Sequence, residues 1–245
     1  MRVNYFDIQP SEVEALDDQE LMRVRQEADA FARLNYCNVY VLDLFREQFV
    51  YVRNELKWMR ELLPEAGAES GGDYFERCFL PSDAWKMQAA ARAAARWVMR
   101  FPADERSEFI LMAPIRISRL SSHGHEVTYH KVTPLRMTAS GKVWLALCAD
   151  FIAARHTSEV VLRKGARFWI YRKTTDSWHE ETIPTLRERE REMLVLSAAG
   201  MDIDGIARAL CTTQANVKRI RHNVYRKLHV DNITEAINFS LTHQL

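Results

Sequence analysis

The stretch Asn216–Val230, NVKRIRHNVYRKLHV, holds five Lys and Arg in a chain whose formal net charge is only +1. Val217, Ile220, Val224 and Leu228 run through it at spacings of three and four. At about 100° per residue these four share one side of a helix, its core face. Arg219, His222 and Arg226 lie opposite, with Lys218 beside them. From Gly205 to Val230 there are six Lys or Arg and no Asp or Glu. Because the chain as a whole is nearly neutral, any contact with nucleic acid has to be local, and this is where it would be made.

The surrounding residues read as three more short helices. Thr185 and Glu188 form a T-x-x-E capping box for a helix that ends at Gly200, a natural residue just past a helix C-terminus. Asp202 can cap a second helix, Cys211 and Thr212 turn the chain, and Thr213 can cap the basic helix. Asn232 and Glu235 give an N-x-x-E cap for a fourth. Four short helices in about sixty residues, with a tight turn between the second and third, fit a helix-turn-helix module. A helix with an apolar face opposite one of Arg, Lys, His and Asn suits the major groove. There Arg and Lys meet guanine O6 and N7, Asn can pair with adenine, and the remaining cations meet phosphates.

The residues from Leu186 to Leu245 resemble the LuxR/FixJ-type DNA-binding domain, found in quorum regulators and NarL-like response regulators. REREM…L, G…IA…L, VK, N-V-x-R-K-L-x-V and TEA all fall in register with the family pattern. The resemblance implies a dimeric, DNA-binding transcription regulator of bacterial type. It makes Lys218, Arg219 and His222 base-facing and Thr213, Gln214, Arg226 and Lys227 phosphate contacts, with Asn216 and Arg221 completing the candidate DNA-binding set. Four positions depart from the pattern. Arg187 stands where a capping Thr is usual, so Thr185 is expected to cap one turn earlier. Gly205 replaces a Glu, at a helix-propensity cost of about 1 kcal/mol. Asn216 replaces a Thr and Ile220 a His, which bears on base preference rather than fold.

The N-terminal part mixes helix and strand. Ser11 and Glu14 make a capping box before a stripe of Val13, Leu16, Leu21, Val24, Phe31 and Leu34. NVYVLDL and QFVYVRN read as paired strands, ELKWMRELLPE as a short helix and AGAESGGD as a loop. Pro81, Ser82 and Asp83 open a helix that stops by Pro102. EFILMAPIRIS, HEVTYHKVTPLRMT and VWLALCADFIA then read as three antiparallel strands. The order gives an α+β domain whose sheet is partly covered by helices, and it is similar to a PAS fold. The expected fold class is therefore α+β: a PAS-like antiparallel sheet with helices, followed by an all-α four-helix helix-turn-helix domain. The expected boundaries are 1–154 for a PAS-like sensor or dimerisation domain, 155–184 for a connector of short exposed strands carrying Trp169 and Trp178, and 185–245 for the DNA-binding domain.

Other classes find little support. No apolar run is long enough to span a membrane, and the N-terminus lacks the apolar core of a signal peptide, so a cytoplasmic protein is expected. The four cysteines form no CxxC pair and read as free thiols. A phosphorylated receiver domain is disfavoured, because Asp17 and Asp18 lie inside a helix and Asp43 is followed by no matching strand–Lys pattern. His123, His125 and His130 raise the thought of metal or haem, but the first two sit in a Ser/Gly loop without a carboxylate–Cys set. Cys78 lacks the surroundings of a flavin-adduct cysteine, and no catalytic constellation is present. The expected partners are double-stranded DNA and a second copy of the chain. A small-molecule or protein signal at the N-terminal domain, and the existence of any cofactor, stay open. The rival reading is a PAS-like protein-interaction regulator whose C-terminal module has lost DNA binding.

Overall fold

The structure is a computed structural model describing residues 4–13, 16–35, 37–56, 71–118, 125–152, 159–182 and 184–243. It divides into two compact units, Met1–Glu181 and Thr182–Leu245.

In the first unit, α1 (Asp18–Leu34) starts at Asp17, whose carboxylate accepts the Glu20 N–H at 2.7 Å. Ser11 was expected to cap this helix. Instead Pro10–Glu12 form a separate 3-10 turn, and Glu14 lies outside the described residues. A carboxylate at the cap both accepts the free N–H and complements the positive end of the helix dipole, so Asp17 outcompetes the hydroxyl. α1 buries Val24, Ala28 and Ala32 on one face of the sheet, while Leu34 ends 87% exposed beyond the stripe.

β1 (Asn38–Asp43) and β2 (Gln48–Arg53) form the expected hairpin. Asp43 holds its turn, accepting the N–H groups of Phe45 and Arg46, the Arg46 guanidinium and the Trp144 indole N–H. The short helix expected at ELKWMRELLPE falls almost wholly outside the described residues. Beyond it α2 (Gly71–Cys78) begins inside the segment expected to be a loop. Its first glycine lies so close to β1 that a Cβ there would sit 2.8 Å from Leu42 Cδ1. A glycine read as a loop signal thus opens a helix, and any larger residue there would make the Leu42 side chain shift. α3 (Pro81–Val98) opens with Pro at its first position, where the missing N–H costs nothing.

β3 (Phe109–Ser118), β4 (His125–Met137), β5 (Val143–Ile152), β6 (Val161–Lys164), β7 (Arg167–Arg172) and β8 (Ser177–Glu181) complete one eight-stranded sheet. The order is β2-β1-β5-β4-β3-β6-β7-β8, and every pairing is antiparallel. Its first five strands have the order of a PAS sheet, as the sequence led one to expect. The register of β4 against β5 shifts next to Pro134, which has no N–H to give the ladder.

The segment expected to be a connector of exposed strands instead supplies the last three strands of this sheet. β6 pairs with β3, and Trp169 on β7 is fully buried against Trp97, Phe101 and Phe109, with ring centroids 6.1, 6.1 and 5.9 Å away. Trp178 is buried beside Tyr171. Aromatic side chains of this size carry too much apolar surface to be left in water when a helix is there to cover them.

The second unit consists of α4 (Glu188–Ala198), α5 (Ile203–Ala209), α6 (Gln214–Leu228) and α7 (Ile233–His243) around its own core. Among the described residues no helix is long and apolar enough to cross a membrane.

Trp169→Ala is expected to destabilise the first unit by about 3–5 kcal/mol, the range for emptying a buried aromatic site. Urea unfolding measures this, and a loss below about 1 kcal/mol would place β7 outside the core.

Candidate nucleic-acid interface and internal cavity

The geometry of the second unit is fixed by its helix ends. α4 closes with Gly200 at φ 83°, where the Met201 N–H reaches the Leu196 carbonyl at 3.1 Å. α5 starts under the Asp202 carboxylate, which accepts the Gly205 N–H at 2.7 Å. It ends with Cys211 at φ 48°, where the Thr212 N–H reaches the Ala207 carbonyl at 2.8 Å. Thr213 Oγ1 then accepts the Asn216 N–H at 3.2 Å and starts α6. α6 stops at His229, φ 53°, with the Val230 N–H on the Tyr225 carbonyl at 3.0 Å. These are left-handed terminations that satisfy the last carbonyls of each helix. Cys211 and His229 adopt them without being glycine, at a cost of about 1–2 kcal/mol each. Asn232 and Glu235 exchange the expected capping bonds at the start of α7.

One expected cap is different. α4 begins at Glu188 with Arg187 as the capping residue, so Thr185 and Glu188 form no box. The Arg187 N–H donates to Glu190 Oε2 at 2.7 Å, and an arginine side chain has no acceptor to return the bond. Glu190 is also the partner of Lys227, whose ammonium lies 2.7 Å from it and 3.2 Å from the Thr185 carbonyl. Burial pushes the Glu190 carboxyl up, but Lys227 and the Arg187 N–H together hold it below the usual carboxylate range.

α6 buries Val217, Ile220, Val224 and Leu228, the four residues of the apolar stripe. On the other side Lys218, His222 and Arg226 are exposed and make no hydrogen bond or ion pair among the described residues. Arg219 joins them but is braced: its Nε and Nη2 donate to Asn216 Oδ1 at 3.2 and 2.8 Å, and Asn216 Nδ2 donates to Thr212 Oγ1 at 2.8 Å. Gln214 donates to Asp204 at 3.0 Å. Arg221 sits on the flank with its guanidinium on the Tyr225 hydroxyl at 2.9 Å. Thus the candidate residues divide. Lys218, Arg219, His222 and Arg226 present donors outward, whereas Thr213, Asn216, Arg221 and Lys227 are engaged inside the unit. One position was missed in the sequence. Ala215 is exposed one turn before Arg219 on the same stripe, where its lack of charge gave no signal. A methyl group there suits the methyl of thymine.

The description "Bacterial regulatory proteins, luxR family" matches residues 184–240. Residues 184–240 are a luxR-family helix-turn-helix domain. The chain is accordingly a DNA-binding transcription regulator, and the luxR-family domain is its DNA-binding module. No curated protein matches the sequence. Among solved structures, a Vibrio cholerae VqmA dimer in the absence of target DNA is 16% identical, with 89% of this chain and 86% of that one covered and a TM-score of 0.33. A complex of phage VqmA with DPO is 15% identical, covering 89% and 93%, with a TM-score of 0.30. A Vibrio cholerae VqmA–ligand–DNA complex is 16% identical, covering 89% and 86%, again with a TM-score of 0.30.

The first unit has a partly open cavity of about 120 Å³ between the sheet and α3. Phe75, Phe79, Met87, Ala91, Leu111 and Val132 contribute to its apolar wall, and Tyr5 and Phe6 of the N-terminal segment also line it. Burial pushes the Tyr5 hydroxyl up to about 12. That segment is tied down by Lys142, whose ammonium donates to the Asp7 carbonyl at 2.7 Å and to Glu12 at 2.9 Å. Of the three histidines noted in the sequence, His123 lies outside the described residues, His125 is exposed at the start of β4, and His130 is buried at the cavity wall. Among the described residues no group of three or more His, Cys, Asp or Glu is placed to hold a metal ion.

Lys227→Ala leaves a nearly buried carboxylate without its cation and is expected to cost the luxR-family domain about 1–3 kcal/mol. A carboxyl held low contributes stability above its ordinary value of 4.5 and loses it as pH falls through the folded-state value. The difference between native and variant should therefore be full at neutral pH and shrink in acid. Thermal melts across pH check this, and a pH-independent difference would contradict the Glu190 assignment.

Proposed function

We propose that α6 lies in the DNA major groove with Lys218, Arg219 and His222 toward the base edges and Arg226 on the phosphates. The observation that carries this reading is the outward stripe of Lys218, Arg219, His222 and Arg226 directly opposite the buried one, of which all but Arg219 lack a partner among the described residues. Cations without internal partners are free to displace counterions from the phosphate backbone. The braced Arg219 loses little freedom on meeting a guanine, since the Asn216 oxygen already holds its fork. Thr213 and Gln214 reach phosphate from the first turn, where the helix N-terminus favours an anion. Asn216, Arg221 and Lys227 are positioning residues first, and DNA would draw on donors they have left.

Arg219→Ala should weaken binding to the preferred site by about 1–3 kcal/mol and relax preference at one base pair. Arg226→Ala should weaken all sequences alike and lower the salt slope by about one. Competition binding against a randomised site at several salt concentrations separates the two. If both changes scale every sequence equally, the assignment of roles is wrong.

We further propose that the first unit is a cytoplasmic, non-catalytic sensor that also helps to pair two chains. The cavity supports the sensing role, since a largely apolar recess gives a small molecule somewhere to go. A signal acts only by favouring one presentation of the paired domains over another. α7 would supply a second dimer contact, so that two copies read an inverted repeat. The full chain and residues 182–245 alone are to be compared by sedimentation and by DNA binding at matched salt. The full chain should be dimeric and bind more tightly and more cooperatively; equal affinity and equal mass ratio would reduce the first unit to a passive attachment.

A further inference from the structure

The first turn of α6 holds an arrangement that its residue types alone do not suggest. Asn216 stands where the family pattern has Thr, and an Asn facing the major groove can pair with adenine. Here both ends of its amide are in use. Nδ2 donates to Thr212 Oγ1 at 2.8 Å, and Oδ1 accepts Nε and Nη2 of Arg219 at 3.2 and 2.8 Å. The amide cannot be turned round, because a guanidinium has only donors and must face the oxygen. Adenine asks for a donor and an acceptor from one amide, so Asn216 cannot read it while it holds Arg219.

The brace also decides what Arg219 has left to offer. Nε and one hydrogen of Nη2 face Asn216, which leaves the outer edge, Nη1 and the second hydrogen of Nη2. Nη1 has no hydrogen-bond partner among the described residues. Two parallel N–H groups of this kind match guanine O6 and N7. The bond to Asn216 draws the guanidinium back one turn, the way side chains lean on a helix. That brings it toward Ala215, the exposed residue next to Asn216 in the chain. Residues 215 and 219 are about 6 Å apart along the helix axis. Leaning back closes that gap toward one base-pair spacing, about 3.4 Å. A methyl group and a guanine-matching edge thus lie side by side.

The matching pattern on DNA is a thymine immediately 5′ of a guanine on one strand. The thymine C5 methyl projects into the major groove next to the O6 and N7 of that guanine. We propose that the first turn of α6 reads this step, with the Ala215 methyl on the thymine methyl and the outer edge of Arg219 on the guanine, and that Asn216 is a positioning residue for Arg219 and reads no base. This rests on α6 lying in the major groove and adds the sequence read there. A 5-methylcytosine carries the same methyl and can stand in for the thymine, whereas an unmodified cytosine cannot.

The full chain is used to enrich sites from a randomised duplex, and the preferred site is then altered one base pair at a time. The enriched site should contain the thymine–guanine step. Exchanging its guanine for adenine should weaken binding about 5- to 150-fold, the range for a bidentate base contact. Deoxyuridine in place of the thymine removes one methyl and should cost about fourfold. 5-Methylcytosine at that position should bind more tightly than cytosine, and Ala215→Gly should abolish both methyl effects. Asn216→Ala should cut the guanine preference about 2- to 10-fold, the worth of one hydrogen bond. Thr212→Val frees the amide while leaving Asn216 and Arg219 in place, and should cut the preference by less. If Asn216→Ala relaxes an adenine position and leaves the guanine preference intact, the positioning role is overturned. If deoxyuridine binds as well as thymine, or the enriched site lacks the step, the sequence assignment is overturned. In both cases α6 still lies in the groove, provided that Arg219→Ala changes preference at some base pair. If Arg219→Ala leaves every preference unchanged, or no sequence is enriched, the groove reading falls as well. The base exchanges are made on the DNA and so decide even where a variant fails to fold.

Discussion

The alanine face of α3 sets the distance between helix and sheet in the first unit. Ala84, Ala89, Ala90, Ala93, Ala94 and Ala95 are all buried, and none has a side chain long enough to hold the helix away. The sheet fills most of the resulting gap with large side chains such as Tyr40, Phe109 and Trp169. Where they stop short, the cavity remains. At the C-terminal end of α3, Trp97 gives β7 an aromatic surface to pack on, and Arg96 ties the β7–β8 turn through Asp176 at 2.7 Å. The cavity and the continuation of the sheet past β3 therefore share one cause. A helix of small residues approaches closely, and large ones at its end collect the strands beyond.

This explains which parts of the fold were legible in the sequence. The caps at Asp202, Thr213 and Asn232 and the stop at Gly200 were readable because each acts within a few residues of itself. So was the apolar stripe of α6, because helical periodicity needs no partner to be recognised. The strands of the first unit were visible as β-branched and aromatic runs. The burial of β7 was not: its central four residues are all covered, so its pattern shows no alternation of faces. The start of α4 was misplaced because its decisive contact, Lys227 on Glu190, spans 37 residues. A spacing rule sees Thr185 and Glu188 and cannot see a lysine arriving from another helix.

The candidate sites divide along the same line. The outward stripe was legible, since Lys218, Arg219, His222 and Arg226 follow from helix phase alone. Which cations are spoken for within the unit was not, because Lys227 and Arg226 are neighbours in sequence and look alike. His130 is the sharper case. In sequence it stood with two loop histidines, and only the pairing of β4 with β5 sets it against Asp150. An acidic residue in VWLALCADFIA gave no hint of a role, because the register that brings it to His130 is a property of the folded sheet.

The turn ahead of α6 has a consequence for how such a domain can change its target. Between α5 and α6 only Leu210, Cys211, Thr212 and Thr213 intervene, and Cys211 and His229 pin the backbone at either end of the helix in a left-handed bend. The rotational phase of α6 is thereby locked. One residue added to or removed from that turn would rotate the helix by about 100° and swing buried Val217 or Val224 toward solvent. Replacing Ala215, Lys218, His222 or Arg226 disturbs no side-chain bond among the described residues. New operators are therefore reached by exchanging letters along the outer stripe, one base contact at a time, whereas insertions and deletions in the turn are closed to drift. The frame is rigid, and the text written on it is free to be revised.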